Sequence, residues 1–157
     1  MKKPIDVAHK LYNEYKDINE KVRNINLGGC GIFAEKLYLI LCELGYKPKL
    51  GVITDNIRLM NMRIRGEILW NENATVRHVV VILDGRLMDS EGIYNTVHDT
   101  SYRKPKLCKR VPLKKLQEWN ADIWMWNDDF NRGQVKTIDK TLKKVYKKVK
   151  KDLEIKK

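Results

Sequence analysis

The stretch LGGCGIFAEKLYLILCELG, residues Leu27 to Gly45, contains the most apolar helix-forming run of the chain. Apolar side chains occur on nearly every side of this run and only three of its residues are charged, which is typical of a helix in the middle of a domain. Gly45 suits the left-handed conformation that closes a helix, and Pro48 prevents continuation. The pattern predicts a central helix from about Cys30 to Leu44.

A cysteine lies at the start of this helix, directly behind a glycine pair. The unpaired N–H groups of the first turn and the positive end of the helix dipole favour the thiolate form of Cys30. Gly28, Gly29 and Gly31 have no side chains to block a substrate carbonyl, and they allow a turn that aims N–H groups at an oxyanion. These features indicate a nucleophile. A buried structural cysteine beside an ordinary glycine turn is the alternative.

The clearest β signal is a predicted hairpin. The pair Asp84–Gly85 favours a tight two-residue turn between the runs Val76–Leu83 and Arg86–Asp89. Pairing outward from this turn puts His78 and Asp89 on one face of the sheet as diagonal neighbours, with about 7 to 8 Å between their backbone positions across the two strands. The hairpin therefore predicts a hydrogen bond between this carboxylate and the imidazole.

Cysteine catalysis needs a thiolate, an imidazole that takes and returns the proton, and a group that orients the imidazole. Cys30, His78 and Asp89 supply these groups at a helix start, on a strand and on the next strand. Asp84 is excluded as the orienting group because it lies six residues from His78. That separation is about 20 Å along an extended strand.

The segment GGCGIFAEKL, followed by RHVVVILDGRLMDSEG, resembles the papain-like fold in its transglutaminase-like arrangement, over roughly Asn24 to Tyr94. The resemblance implies an α+β domain in which an antiparallel β-sheet packs on the helix that starts at the cysteine, with flanking N- and C-terminal helices. It implies a cysteine-dependent hydrolase or acyltransferase (protease, amidase or transglutaminase-like) that acts on an amide or ester, in a protein, peptide or other substrate, through a thioester. By position, Cys30 is the nucleophile, His78 the general base and acid, and Asp89 the orienting group.

The predicted oxyanion donors are the Cys30 backbone N–H and one upstream amide side chain. Asn24 stands six residues before the cysteine, a spacing similar to that of the glutamine in papain-like enzymes, and Asn26 stands four before it. Gly29 completes the candidate substrate-binding set. Both asparagines have an alternative role as turn-forming residues before a helix.

Other roles are open for this set of residues. The three predicted catalytic side chains could instead bind a metal, but few further ligands converge on them, so the sequence predicts neither a metal nor another cofactor. His98 could replace His78, although its loop position gives it less geometric support. The neighbours Ser90 and Glu91 could crowd Asp89.

The chain has 157 residues, the size of one domain that buries a core without disulfides, and we expect residues 1–157 to form a single domain. Its three cysteines lack CxxC spacing, which argues against a disulfide framework or a cysteine-rich zinc site and favours a reducing compartment. The sequence has no signal-peptide core and no apolar run of membrane length. We therefore expect a cytoplasmic protein that does not engage a membrane.

The positive charge of the chain is concentrated near its end. The formal net charge is +12, and Lys136 to Lys157 contribute ten lysines and three acidic residues, a net +7. A lysine-rich surface binds phosphate backbones or anionic membranes without sequence preference, but a solvated helix face is more common, and nucleic-acid binding is not favoured. The alternative to an enzyme is a binding module that uses this basic C-terminal helix, about 134–157, on nucleic acid or a protein partner.

Periodicity and turn residues predict the remaining segments. These are an N-terminal helix, two strands separated from the hairpin by a polar turn, a further strand, a short helix, an aromatic segment of a core or pocket wall, and a last helix. In chain order they are Pro4–Val22, Lys49–Thr54, Arg58–Arg65, the turn Asn71–Ala74, Leu107–Val111, Pro112–Trp119, Ile123–Trp126, and Gln134 to about Leu153.

Overall fold

The computed structural model describes residues 2–22, 25, 29–67, 76–121 and 132–155, and it shows an α+β architecture. A five-stranded antiparallel sheet packs against helices, as the sequence predicts. The elements are α1 (Pro4–Tyr15), α2 (Ile18–Lys21), α3 (Cys30–Glu43), β1 (Lys49–Thr54), α4 (Ile57–Ile64), β2 (Val76–Leu83), β3 (Arg86–Met88), β4 (Ile93–Tyr94), a 3₁₀ helix (Val97–Asp99), β5 (Lys106–Cys108), α5 (Leu113–Ala121) and α6 (Arg132–Ile155).

The strands of the sheet follow the order β4-β3-β2-β1-β5, and each neighbouring pair is antiparallel. The predicted hairpin is confirmed, because Leu83 pairs with Arg86 and Ile82 with Leu87. Asp84 and Gly85 both have positive φ angles, 50° and 79°. Positive φ at both central residues defines the type I′ turn, whose twist matches that of two paired strands.

The central helix α3 starts at Cys30, as predicted, and ends at Glu43, one residue before the predicted end. Gly45 has a φ of 93° and donates its N–H to the Cys42 carbonyl, as part of a Schellman motif that closes the helix. α3 packs on β1 and β2 on one side and on α5 and α6 on the other. Its buried positions are Gly31, Ile32, Phe33, Ala34, Leu37 and Leu41.

The terminal helices flank this core. The predicted single helix from Pro4 to Val22 is divided in the structure, because a turn at residues 16–17 separates α1 from α2. The predicted last helix is confirmed as α6, which packs on α1, α2 and α3. Its buried apolar stripe consists of Ile138, Leu142, Val145 and Val149.

The prediction of a strand over Arg58–Arg65 was wrong, since residues 58–64 belong to helix α4 and Arg65 is its C-cap. The Asn56 side chain accepts a hydrogen bond from the Leu59 N–H at 3.1 Å, which is an N-cap for the helix. Met60 and Arg63 are buried three residues apart on one helix face. The apolar residues of this segment therefore follow helical spacing, and their partial alternation did not indicate a strand.

The two faces of the sheet carry different cores. Val79, Val81 and Met88 belong to the main core that includes the helices. A second cluster, Ile53, Val80, Ile82 and Leu87, is covered by Tyr94, Val97, Tyr102 and Leu107. The segment between β3 and β5 thus covers one sheet face.

The bounds of β5 and α5 differ slightly from the predicted bounds. β5 spans Lys106–Cys108 where a strand to Val111 was predicted, and α5 begins one residue after Pro112 and includes Trp119. The predicted turn Asn71–Ala74 and the aromatic segment Ile123–Trp126 lie outside the described residues. Within the described residues, no helix combines the length and apolar character needed to span a bilayer.

Candidate active site

Cys30 occupies the first helical position of α3 and is partly exposed. The backbone N–H of a residue at this position has no acceptor within the helix. Gly29 is the N-cap residue and is buried, and its carbonyl accepts the Phe33 N–H at 2.9 Å. The start of the helix therefore fixes the backbone of the residues before and after Cys30.

Two glycines beside Cys30, Gly29 and Gly31, have structural partners, and Gly28 lies outside the described residues. The Gly29 N–H donates to the Ile25 carbonyl at 2.7 Å, so this donor is already used within the fold. A Cβ on Gly31 would lie 2.5 Å from Oδ1 of Asn120 on α5, whose amide donates to the Gly31 carbonyl at 3.0 Å. Gly31 thus permits close packing of α5 on α3, where the sequence suggested space for a substrate. Asn24 and Asn26 lie outside the described residues.

His78 and Asp89 meet as the hairpin predicts. His78 Nε2 lies 2.8 Å from Asp89 Oδ2, and the two residues are buried, with exposed fractions of 1% and 6%. His78 pairs with Ile53 across the strands and by alternation shares the sheet face of Val80. The register set at the Asp84–Gly85 turn therefore brings two polar side chains together at the end of an apolar face.

The second ring nitrogen of His78 is directed into the protein. Nδ1 is buried and makes no hydrogen bond of full geometry with any described residue. Burial by itself lowers the pKa of His78, but the hydrogen bond with Asp89, and the hydrogen bonding and charge of the nearby Cys30, outweigh burial and raise this pKa to about 9. With Nε2 occupied by Asp89, Nδ1 is the ring nitrogen left to exchange a proton with Cys30.

The Asp89 carboxylate is held on both of its oxygens. While Oδ2 contacts His78, Oδ1 accepts the backbone N–H groups of Glu91 at 2.8 Å and Gly92 at 2.9 Å. The Asp89 N–H donates in turn to the Gly92 carbonyl at 3.1 Å. Because these contacts leave the side chain little freedom, the imidazole receives a carboxylate in one orientation. Glu91 therefore supports Asp89 through its backbone.

Three side chains of the N-terminal helices hold the turn after β3. Tyr12 donates to the Glu91 carbonyl at 2.7 Å and Tyr15 to the Asp89 carbonyl at 2.8 Å, the latter bond being buried. Asn19 donates to the Ser90 carbonyl at 2.7 Å and accepts the Ser90 hydroxyl at 3.0 Å. We refer to Tyr12, Tyr15 and Asn19 as the N-terminal clamp. It holds three consecutive carbonyls around the carboxylate that contacts His78.

An aromatic side chain covers the imidazole. The ring of Tyr102 stacks on His78 with a centroid distance of 5.5 Å and an interplanar angle of 26°. Burial, and then the charges of Cys30, Asp89 and Glu91, raise the pKa of Tyr102 to about 12. The phenol therefore keeps its proton at neutral pH, and the ring limits access of water to the imidazole.

Sequence reasoning missed the clamp and Tyr102. Tyr12 and Tyr15 lie within the N-terminal helix that periodicity predicts, yet a buried tyrosine hydroxyl normally needs a hydrogen-bond partner, which was a usable signal. Nothing in the local sequence indicated that Asn19 faces the turn after β3. Tyr102 comes from the turn-rich segment 92–105, where periodicity carries no information about tertiary contacts.

The alternative site residues have other surroundings. His98 is exposed on the 3₁₀ helix, Cys42 is exposed near the end of α3, and Cys108 is buried beside Asn61. Among the described residues, no group of three or more histidine, cysteine, aspartate or glutamate side chains is arranged to hold a metal ion.

The site thus joins a thiol at a helix start, a buried imidazole and a fixed carboxylate, in a shell of tyrosines. Such a set is able to move a proton from sulfur to nitrogen and to keep the resulting imidazolium paired with a carboxylate. Comparisons of the chain with protein-family models, curated proteins and solved structures found no significant match.

Proposed function

We propose that this chain is a cysteine-dependent hydrolase or acyltransferase of the papain-like type, in its transglutaminase-like arrangement. The observation that carries the proposal is the state of His78: one ring nitrogen is hydrogen-bonded to Asp89, while the other is buried, makes no hydrogen bond of full geometry with any described residue, and lies next to Cys30. A structural histidine would be expected to have both nitrogens satisfied. Here a ring nitrogen that is able to exchange a proton lies beside the thiol.

In the proposed reaction, the proton of the Cys30 thiol has already passed to His78, so that a thiolate faces an imidazolium at neutral pH, and the thiolate sulfur attacks the carbonyl carbon of an amide or ester. The Cys30 backbone N–H donates to the oxyanion of the tetrahedral intermediate. The carbon–nitrogen or carbon–oxygen bond then breaks, and the imidazolium of His78 returns the proton to the leaving group. A thioester on Cys30 remains, and water or an amine resolves it while His78 takes the proton of the attacking molecule.

Alkylation with iodoacetamide tests whether Cys30 is an activated thiol. The thiolate is the reacting form, so we expect Cys30 to be modified about tenfold or more faster than the exposed Cys42 at neutral pH, and to lose this advantage in His78→Ala. Cys42 lies on the same helix and serves as an internal reference in each sample. Equal rates for the two thiols, unchanged by His78→Ala, would contradict the proposal.

An activated ester tests the covalent step. With p-nitrophenyl acetate we expect a burst of p-nitrophenol and an acetyl group on Cys30, detected by mass spectrometry of the quenched protein. Cys30→Ala should abolish both signals, and Cys42→Ala should preserve them. Faster product formation on addition of an amine, with transfer of the acetyl group to it, would identify an acyltransferase, whereas a rate independent of the amine would identify a hydrolase.

A further inference from the structure

A groove of about 400 Å³ runs between α6 and the N-terminal helices, with cationic side chains from two elements. Lys140, Lys144 and Lys148 line it from α6, and Lys21 lines it from α2. At a rise of 1.5 Å per residue, successive lysines of the α6 row are about 6 Å apart along the helix axis. The groove therefore contains a regular row of positive charges with a further cation from another helix.

Most of this charge is not neutralised by the residues that the structure describes. Glu14 is the acidic residue among the described lining residues, and it pairs with Lys148 at 2.9 Å. Asp139 and Asp152 of α6 pair with lysines that do not line the groove. Among the described residues, Lys21, Lys140 and Lys144 have no ion-pair partner. Like charges four residues apart destabilise a helix, so folding alone does not account for this arrangement.

The geometry of α6 favours nucleic acid over a membrane. A helix that binds a bilayer surface inserts its apolar face, but the apolar stripe of α6 is buried in the protein core. The remaining lysine face is polar and includes the Thr141 hydroxyl, a group that hydrogen-bonds to phosphate oxygens. A nucleic-acid strand has negative charges at short, regular intervals, which complements a row of lysines in a groove.

We propose that this groove binds the sugar–phosphate backbone of a nucleic-acid strand. The described lining has no aromatic side chain on which a base could stack, so the binding is independent of base sequence. The groove is formed by side chains other than those of the Cys30 site, and the proposal stands independently of the proposed chemistry. A nucleic acid that serves as a substrate or a scaffold would therefore bind at a second surface of the chain, separate from the Cys30 site.

Fluorescence anisotropy with labelled single-stranded oligonucleotides of two different sequences, and with a duplex, tests the proposal. The three lysines without an ion-pair partner predict a slope of log K against log salt of about −2 for a single strand, and so about 20-fold weaker binding at about 200 mM than at about 50 mM salt. In the double variant K140E/K144E we expect the slope to fall to about −0.7 or less. The matched control K47E/K49E changes net charge equally at exposed lysines outside this groove.

Equal weakening by the two double variants would show that binding follows net charge, and it would overturn the proposal. So would a strong preference for one oligonucleotide sequence, or binding to phosphatidylserine vesicles without binding to either oligonucleotide. Thermal unfolding of both variants identifies any loss of fold. If K140E/K144E unfolds, the milder variant K140Q/K144Q takes its place with the same expected order of slopes. These measurements do not depend on Cys30 chemistry, so their failure and that of the proposed function are distinguishable.

Discussion

The two ends of strand β3 each carry an aspartate, but the two aspartates are held in opposite ways. At the first end, Asp84 lies in the hairpin turn, is exposed, and has Arg86 as an ion-pair partner at 3.7 Å. At the second end, Asp89 is buried, contacts His78, and is followed by a turn that the N-terminal clamp holds. The first end depends on neighbours in sequence alone, and the second depends also on residues of another region.

The two aspartates differ in how far along the sequence their partners lie. Arg86 is two residues from Asp84, whereas the Tyr15 hydroxyl reaches the Asp89 carbonyl across 74 positions of the chain. A local turn forms from the preferences of its own residues. The hydrogen bond to the Asp89 carbonyl, in contrast, exists only where α1 packs against the end of the sheet. Mutations at the two ends should therefore affect different properties. A mutation at the Asp84 end should change stability alone, whereas a mutation at the Asp89 end should change both stability and the reactivity of Cys30.

The largest expected effect is on the reactivity of Cys30 after loss of the buried carboxylate. Asp89→Asn leaves an amide that cannot stabilise an imidazolium as a carboxylate does, so we expect alkylation of Cys30 to slow by about 100-fold or more. Asp84→Asn makes the same chemical change at the exposed end and should leave the rate unchanged. Equal rates in the two variants would contradict the assignment of Asp89 as the orienting group.

The titration of His78 sharpens the same contrast. Its pKa is raised to about 9, so the imidazolium persists through neutral pH and deprotonates as the pH rises through about 9. In Asp89→Asn, burial still lowers the pKa and the carboxylate no longer opposes it, so the titration should move to lower pH. NMR of the imidazole protons measures this, with His78→Ala identifying the signal. A titration unchanged by Asp89→Asn but shifted by Asp84→Asn would reverse the roles of the two ends.

Loss of the buried clamp bond is expected to have an intermediate effect. Tyr15→Phe leaves the Asp89 carbonyl buried without its hydroxyl donor, which should lower the free energy of unfolding by about 1–3 kcal/mol and slow the alkylation of Cys30 severalfold. Tyr12→Phe is the matched control, because its bond to the Glu91 carbonyl is exposed and water can replace the hydroxyl. Urea unfolding and alkylation are measured on both variants. Loss of stability in Tyr15→Phe without slower alkylation would limit the clamp to a structural role.

The smallest effect is expected at the local end. A Cβ at Gly85 would meet no atom within 4 Å, but its φ of 79° strains other residues, so Gly85→Ala should lower the free energy of unfolding by about 1 kcal/mol. Because the strain is confined to the turn, alkylation of Cys30 should keep its wild-type rate. A slower rate would mean that the turn, and not the clamp, controls the register at His78.

The predictable parts of the fold are those with local causes. Gly45 marked the end of α3, and Asp84–Gly85 marked a turn whose register puts His78 beside Asp89. The segment 58–65 was misread because its eight-residue helix is too short for periodicity to decide, and the capping residue Asn56 was overlooked. Gly31 was read as space for a substrate because the sequence does not show that Asn120 packs there.

By itself, the sequence determined a central helix that begins at a cysteine and a hairpin with histidine and aspartate on one face. Both follow from propensities and periods that act over a few residues. Only the tertiary structure decided that Tyr12, Tyr15 and Asn19 hold the turn after β3, that Tyr102 covers His78, and that lysines of α2 and α6 share a groove. These contacts join segments distant in sequence, and they exist because burial of the apolar faces brings those segments together.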